Sequence, residues 1–210
     1  MQIPEEIKEQ VKAEFADLKN KVKIKLFTSQ DDCTYCNDTE ELIKGVSELS
    51  DKIEFESKSI KDEEAKKYEI NLAPSIIFET DNKISPIRFN GIPAGYEFSS
   101  LIETIKFLST NELDVPANIV DKIKAINKNI NIKVFVTVSC PYCPQAVITG
   151  FKFAMINPQY IKAEMYEASE FPELANKYGV RAVPKVVIND KISFEGALPV
   201  DSYLSKVLEA

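Results

Sequence analysis

Cysteine occurs four times in this chain of 210 residues, and only as two Cys-x-x-Cys pairs: Cys33-Thr34-Tyr35-Cys36 and Cys140-Pro141-Tyr142-Cys143. The second pair follows Ile130–Val136, an apolar, β-branched run that reads as a buried strand, and precedes Val147, Ile148, Phe151 and Met155 at helical spacing. The first follows Val22-Lys23-Ile24-Lys25-Leu26-Phe27 and precedes Leu42, Ile43, Val46 and Leu49 in the same relation. Each pair therefore sits where a strand hands over to a helix. There the leading backbone N–H groups have no intrahelical partner and the helix dipole is positive. A thiol so placed loses its proton more readily, and the thiolate is the species that attacks disulfides. The second thiol lies within a helical turn and can close a ring onto the first.

Cys140 lies 107 positions after Cys33, about half the chain, which suggests a duplication. The remaining sequence bears this out at several places. Ile24-Lys25-Leu26-Phe27 matches Ile132-Lys133-Val134-Phe135, and Tyr68 precedes Pro74 by six residues as Tyr178 precedes Pro184. Asn82-Lys83-Ile84 matches Asp190-Lys191-Ile192 in a hairpin, and Phe89-Asn90-Gly91 matches Phe194-Glu195-Gly196. Each half opens on a proline-started amphipathic helix: Pro4, with the stripe Ile7, Val11, Phe15 and Leu18, and Pro116, with Ile119, Ile123 and Ile126. Ile70–Phe78 reads as a strand introduced through Pro74, and Lys185–Ile188 as its counterpart. The polar, turn-rich stretch 109–114 predicts a boundary, giving units 1–113 and 114–210.

Each half thus reads helix, strand-CxxC-helix, strand, helix, proline-strand, strand, helix. That order resembles the thioredoxin fold, and the tandem arrangement resembles the glutaredoxin-like protein disulfide oxidoreductases of thermophilic archaea and bacteria. Cys140-Pro141-Tyr142-Cys143 is the glutaredoxin-type sequence, with Val183-Pro184 as the matching proline dipeptide; Cys33-Thr34-Tyr35-Cys36 is a variant of it. The resemblance implies an α/β fold of two tandem thioredoxin-like units, each a central mixed sheet flanked by helices. It implies that Cys33 and Cys140 attack and that Cys36 and Cys143 resolve the mixed disulfide. It also implies that Pro74 and Pro184 are cis and face the cysteines, so that the backbone of Ala73 and Val183 meets an extended substrate. The expected substrates are protein disulfides and dithiols, oxidised, reduced or isomerised according to potential. Glu195 stands where glutathione-using relatives carry a Gly-Gly and dock the tripeptide's carboxylate, which argues against glutathione as substrate.

The partners implied are a thioredoxin-reductase-like flavoprotein and, in an electron-carrier role, a peroxiredoxin. No cofactor is expected within the chain, which has no glycine fingerprint for FAD or NAD. The net charge of −7 argues against nucleic acid and anionic membranes as partners. No apolar run approaches the roughly 20 residues of a membrane helix, and the first residues lack the basic and apolar regions of a signal peptide, so a cytoplasmic location is expected.

Two other readings stand beside the exchange catalyst. One is a dedicated electron carrier feeding peroxide-reducing systems; such tandem domains commonly keep one active pair, whereas this chain has two. The other is a four-cysteine zinc module, although zinc pairs usually lie within a few tens of residues of one another. His is absent, so no imidazole can activate a thiol. Asp31 and Asp32 precede Cys33, and their charge predicts a less reactive thiol there than at Cys140, which follows Val138 and Ser139. No acid can be assigned by motif as a proton carrier for either resolving cysteine.

Overall fold

The computed structural model describes residues 3–31 and 33–210, and the chain forms two compact units. One gathers Met1–Ser85, Phe89–Ile92 and Ile102–Glu112; the other gathers Pro86–Arg88, Pro93–Leu101 and Leu113–Ala210. The second unit thus includes a segment, Pro93–Leu101, that precedes its own sequence repeat. Among the described residues, no helix is long and apolar enough to cross a membrane.

The first unit is built on β1 (Val22–Thr28), whose Val22, Ile24, Leu26 and Phe27 are all buried. It pairs in parallel with β2 (Ile53–Ser59) and antiparallel with β3 (Ser75–Thr80). β3 turns through Asp81 and Asn82, both at positive φ, into β4 (Lys83–Asn90), giving the order β2-β1-β3-β4. Its helices are α1 (Glu5–Glu14), prolonged by a 3-10 turn at Phe15–Asp17, α2 (Cys36–Ser47), α3 (Glu63–Lys67) and most of α4 (Glu97–Thr110). α2 lays Leu42, Ile43 and Val46 on β1 and β2.

The second unit repeats this plan. β5 (Ile130–Val136) pairs in parallel with β6 (Ile161–Glu167) and antiparallel with β7 (Lys185–Ile188), and β7 pairs antiparallel with β8 (Ile192–Glu195). The order β6-β5-β7-β8 repeats that of the first unit's strands. Helices α5 (Ala117–Lys124), α6 (Cys143–Ile156), α7 (Pro172–Lys177) and α8 (Val200–Glu209) flank it. Equivalent phenylalanines are buried in both units: Phe27 in a cluster with Ala65, Ile70 and Ile77 beside Tyr68, and Phe135 with its ring 5.3 Å from Tyr166 and 5.4 Å from Tyr178.

One expected strand starts later than its sequence suggests. Residues 70–74 lie outside the strand, which begins at Ser75. Ile70 spends its N–H on closing α3, donating to Ala65 O at 2.8 Å while Glu69 N donates to Lys66 O at 3.1 Å. The same motif closes α7, where Val180 N donates to Ala175 O and Gly179 N to Asn176 O. It needs a left-handed residue after the helix, which is Gly179 in the second unit and Glu69 in the first, at φ 60° and 55°.

Charge is buried unequally. Lys25 on β1 is enclosed, its Nζ 2.6 Å from Glu64 and 2.8 Å from Glu79, and Lys58 reaches Glu64 at 2.6 Å. Burial opposes the Lys25 ammonium, but the hydrogen bonds to Glu64 and Glu79 outweigh it and hold the proton more firmly than on a free lysine. The repeat-equivalent Lys133 pairs with the exposed Asp190 at 2.7 Å and lies 5.4 Å from the Tyr178 ring centroid.

Candidate functional site

Both cysteine pairs are closed as disulfides, Cys33–Cys36 and Cys140–Cys143, each with Cα atoms 5.5 Å apart. The second cysteine of each pair is the first residue of its helix: Cys36 opens α2 and Cys143 opens α6. Cys33 and Cys140 lie in the turn just before, at the positive end of the helix. Three residues of spacing follow from this geometry, since the outer sulfur must reach back over the first turn to the inner one. The inner sulfurs are sealed, Cys36 at 4% and Cys143 at 0% exposure; Cys140 is also buried at 7%, while Cys33 is half-buried. Tyr35 and Tyr142, between the cysteines, are both exposed.

The proline dipeptides arrive at the same sheet edge. Ser75 pairs with Phe27 and Lys185 with Phe135, so Pro74 and Pro184 stand level with the ends of β1 and β5, from which the cysteine loops depart. Both Ala73–Pro74 and Val183–Pro184 bonds are cis. Gly91 N donates to Pro74 O and Gly196 N to Pro184 O, each at 2.8 Å, which fixes both prolines to the hairpins behind them. Ala73 and Val183 are half-buried, and their backbone groups take no partner among the described residues.

The loop before Cys33 is more tied down than sequence suggested. Asp31, expected to repel a thiolate at Cys33, accepts an ion pair from Lys61 Nζ at 2.8 Å. That hydrogen bond and charge hold the Asp31 carboxyl below its ordinary range, and the lysine offsets its field. The companion expectation for Asp32 lies outside the described residues.

A buried acid that motif reading did not single out is Glu97. It opens α4, in the segment that packs with the second unit, and is wholly buried. Neither carboxylate oxygen has a hydrogen-bond partner. Burial pushes the carboxyl up to about 7; the Ser100 hydroxyl, buried one turn on, draws it partway down without making a hydrogen bond of full geometry. Tyr96 N donates to Val138 O at 2.9 Å, two residues ahead of Cys140. Gly95 is at φ 58°, and a Cβ there would collide with the same carbonyl, so the close approach requires glycine. The other buried acid among the described residues, Glu167, also lies in the second unit and caps a turn, accepting from Glu170 N at 2.8 Å. In sequence Glu97 looks like an ordinary acid on a helix's first turn. The only hint of its burial is its apolar setting, Ile92-Pro93-Ala94-Gly95-Tyr96-Glu97-Phe98.

Among the described residues, no group of three or more His, Cys, Asp or Glu side chains converges as a metal cage. Paired redox cysteines at helix starts in two thioredoxin-like units define the class: a thioredoxin-like disulfide oxidoreductase. Comparison with known proteins agrees. Residues 130–209 match the family model described as a thioredoxin domain. The whole chain is similar to the N-terminal domain of alkyl hydroperoxide reductase AhpF from Enterococcus faecalis, with 27% identity and a TM-score of 0.91 over 98% of this chain and 100% of that one. It is equally similar to a protein disulfide oxidoreductase from Aeropyrum pernix, with 28% identity and a TM-score of 0.90 over 99% and 93%. Among curated proteins, an alkyl hydroperoxide reductase component of Staphylococcus aureus is 25% identical over 96% of this chain, which spans 37% of that relative's length.

Proposed function

We propose that both pairs exchange disulfides with proteins, Cys33 and Cys140 as nucleophiles and Cys36 and Cys143 as resolving thiols. The observation that carries this reading is the duplicated geometry: a sealed inner sulfur on the first residue of a helix, an outer sulfur before it, and a proline-led strand at the same sheet edge. An extended segment of substrate would pair with the free backbone of Ala73 beside Pro74, or of Val183 beside Pro184. In the reducing direction the outer thiolate forms a bond to one substrate sulfur, and the other leaves as a thiolate that takes a proton. The inner thiolate then attacks the outer sulfur, closing the ring and releasing the second substrate thiol. Oxidation of substrate runs the same steps backward.

At the second site we assign Glu97 as the acceptor of the Cys143 proton. A buried carboxyl with a proton affinity near neutrality can take that proton in the resolving step and return it in the reverse one. The segment's anchor at Val138 O supports its placement beside the cysteine loop.

The chain carries no hydride- or flavin-binding glycine motif, so its electrons would come from a flavoprotein reductase, in the cytoplasm. A second reading is favoured by the coverage of the E. faecalis domain: a carrier that passes electrons from such a reductase to a peroxiredoxin. Redox titration of the Cys33→Ser/Cys36→Ser and Cys140→Ser/Cys143→Ser variants against dithiothreitol or glutathione standards tests both. Potentials near about −270 mV are expected of a reductant or carrier, and values toward about −180 mV of an oxidant or isomerase. Failure of either remaining pair to form an internal disulfide would remove that site from the mechanism.

A further inference from the structure

The resolving sulfur of the first unit has a partner that the second unit does not provide. Ser29 donates its backbone N–H to Cys36 Sγ at 3.4 Å. Among the described residues no donor reaches Cys140 or Cys143 Sγ; the loop bonds there run from Cys140 N to Thr137 O and from Cys143 N to Cys140 O. The loops also differ in length, with five residues between Phe27 and Cys33 and four between Phe135 and Cys140.

The Ser29 side chain holds the longer loop in shape. Its Oγ donates to Asp31 O at 2.7 Å and accepts from Asp31 N at 3.1 Å. The Asp31 carboxylate is tied to Lys61 Nζ at 2.8 Å, and Lys61 stands on a turn fixed by Ile60 N donating to Thr28 O. The tie runs from Lys61 through Asp31 and Ser29 to the sulfur of Cys36. Its outer member is an exposed ion pair that solvent screens, so the serine turn is the principal support.

We propose that Ser29 is a positioning residue of the first site, its turn aiming its own N–H at Cys36 to stabilise the resolving thiolate. This rests on the disulfide-exchange reading. A fixed dipole then serves the first site, where the second has the Glu97 carboxylate. In the step concerned, Cys36 gives its proton to solvent and the thiolate attacks Cys33 Sγ. The Cys33–Cys36 bond forms, the bond from Cys33 to substrate breaks, and its electron pair leaves on the substrate sulfur, which is protonated by solvent. A hydrogen bond to the charged form favours that form. Among the described residues, the charged groups on the surrounding loops and first helical turn include Asp31, Lys61, Asp62 and Asp38; Asp32, in the same loop by sequence, lies outside the described residues.

The test uses the full chain with Cys140→Ser/Cys143→Ser, so that only the first site exchanges. Adding Cys33→Ser leaves the Cys36 thiol to be titrated by thiolate absorbance. Ser29→Ala is expected to raise the Cys36 pKa by about one unit, a roughly tenfold loss of thiolate below it, and Ser29→Thr to restore it. Lys61→Met and Asp31→Asn separate position from field. If both act by holding the loop, both raise the Cys36 pKa; if they act by charge alone, Asp31→Asn lowers it and Lys61→Met raises it. A Cys36 pKa unmoved by Ser29→Ala, or opposite shifts in the charge variants, overturns the proposal. The exchange reading fails separately, if the parent with Cys33 intact forms no internal disulfide.

Discussion

The outer cysteine of the first pair is more exposed than that of the second. Cys33 is half-buried on a loop pinned by an exposed ion pair, whereas Cys140 is 7% exposed and belongs to the unit that holds a buried, unpartnered carboxyl. Both pairs have the same spacing, helix and proline-led strand, so the shared parts set what chemistry is possible. On the proposed assignments the unshared parts set where the protons go: the first unit would offer Cys36 a backbone dipole and the second would offer Cys143 a titratable acid, and that acid would give exchange a dependence on pH near neutrality.

The largest test of this contrast removes one site at a time. The Cys33→Ser/Cys36→Ser and Cys140→Ser/Cys143→Ser variants each lose exchange at their own pair. With Asp31 paired to Lys61, the sequence leaves Asp32 to add negative charge next to Cys33, so the second site is expected to carry the greater share of insulin-disulfide reduction at pH 7, by about a few-fold. Equal rates would show that Lys61 cancels the acidic charge at Cys33.

Glu97→Gln should strike only the second site, slowing its resolving step roughly 10²-fold and removing a pH dependence centred near 7. The first site, assayed alone, should keep its rate. The same substitution should stabilise the protein. Glu97 stays protonated in the folded chain to about 7 but in the unfolded chain only to about 4.5. The folded state therefore binds more protons in that window, and stability falls as pH rises from 4.5 to 7, by roughly 3 kcal/mol in all. Denaturant unfolding at pH 5 and pH 8 should show this fall in the parent and not in Glu97→Gln.

The buried charges give a smaller contrast. Lys25→Ala leaves Glu64 and Glu79 without their cation and should cost about 2 kcal/mol, while Lys133→Ala, freeing only the exposed Asp190, should cost less than about 1. Lys25 and Lys58 hold the Glu64 carboxyl below its ordinary value, so its contribution is present above about pH 4.5 and is lost as pH falls below it. Acid unfolding of the Lys25→Ala variant should accordingly be shallower than the parent's.

The smallest effect concerns the left-handed residues after α3 and α7. Glu69→Gly should stabilise by up to about 1 kcal/mol, and Gly179→Ala should destabilise by a similar amount, since both positions have φ near 60°. Thermal unfolding of the two variants would show shifts of opposite sign.

The sequence by itself determined what depends on short-range pattern. A strand, a CxxC and a helix lie within about 25 residues of each other, and period and turn chemistry report such neighbours directly. The duplicated prolines and hairpins then told the fold, because each repeat had to bury the same faces. The late start of β3 escaped, since Ile70 looks like a strand residue until its N–H is seen closing α3. Only the tertiary structure decided the properties that depend on burial and on charge partners distant along the chain. Glu97 lies 43 positions before Cys140, and its proton affinity follows from complete enclosure, which composition does not encode. Asp31 meets Lys61 thirty residues away, turning an expected repulsion into a clasp. Desolvation and Coulomb interactions depend on distance in space, so the chemistry of each pair could be read along the chain but its proton balance could not.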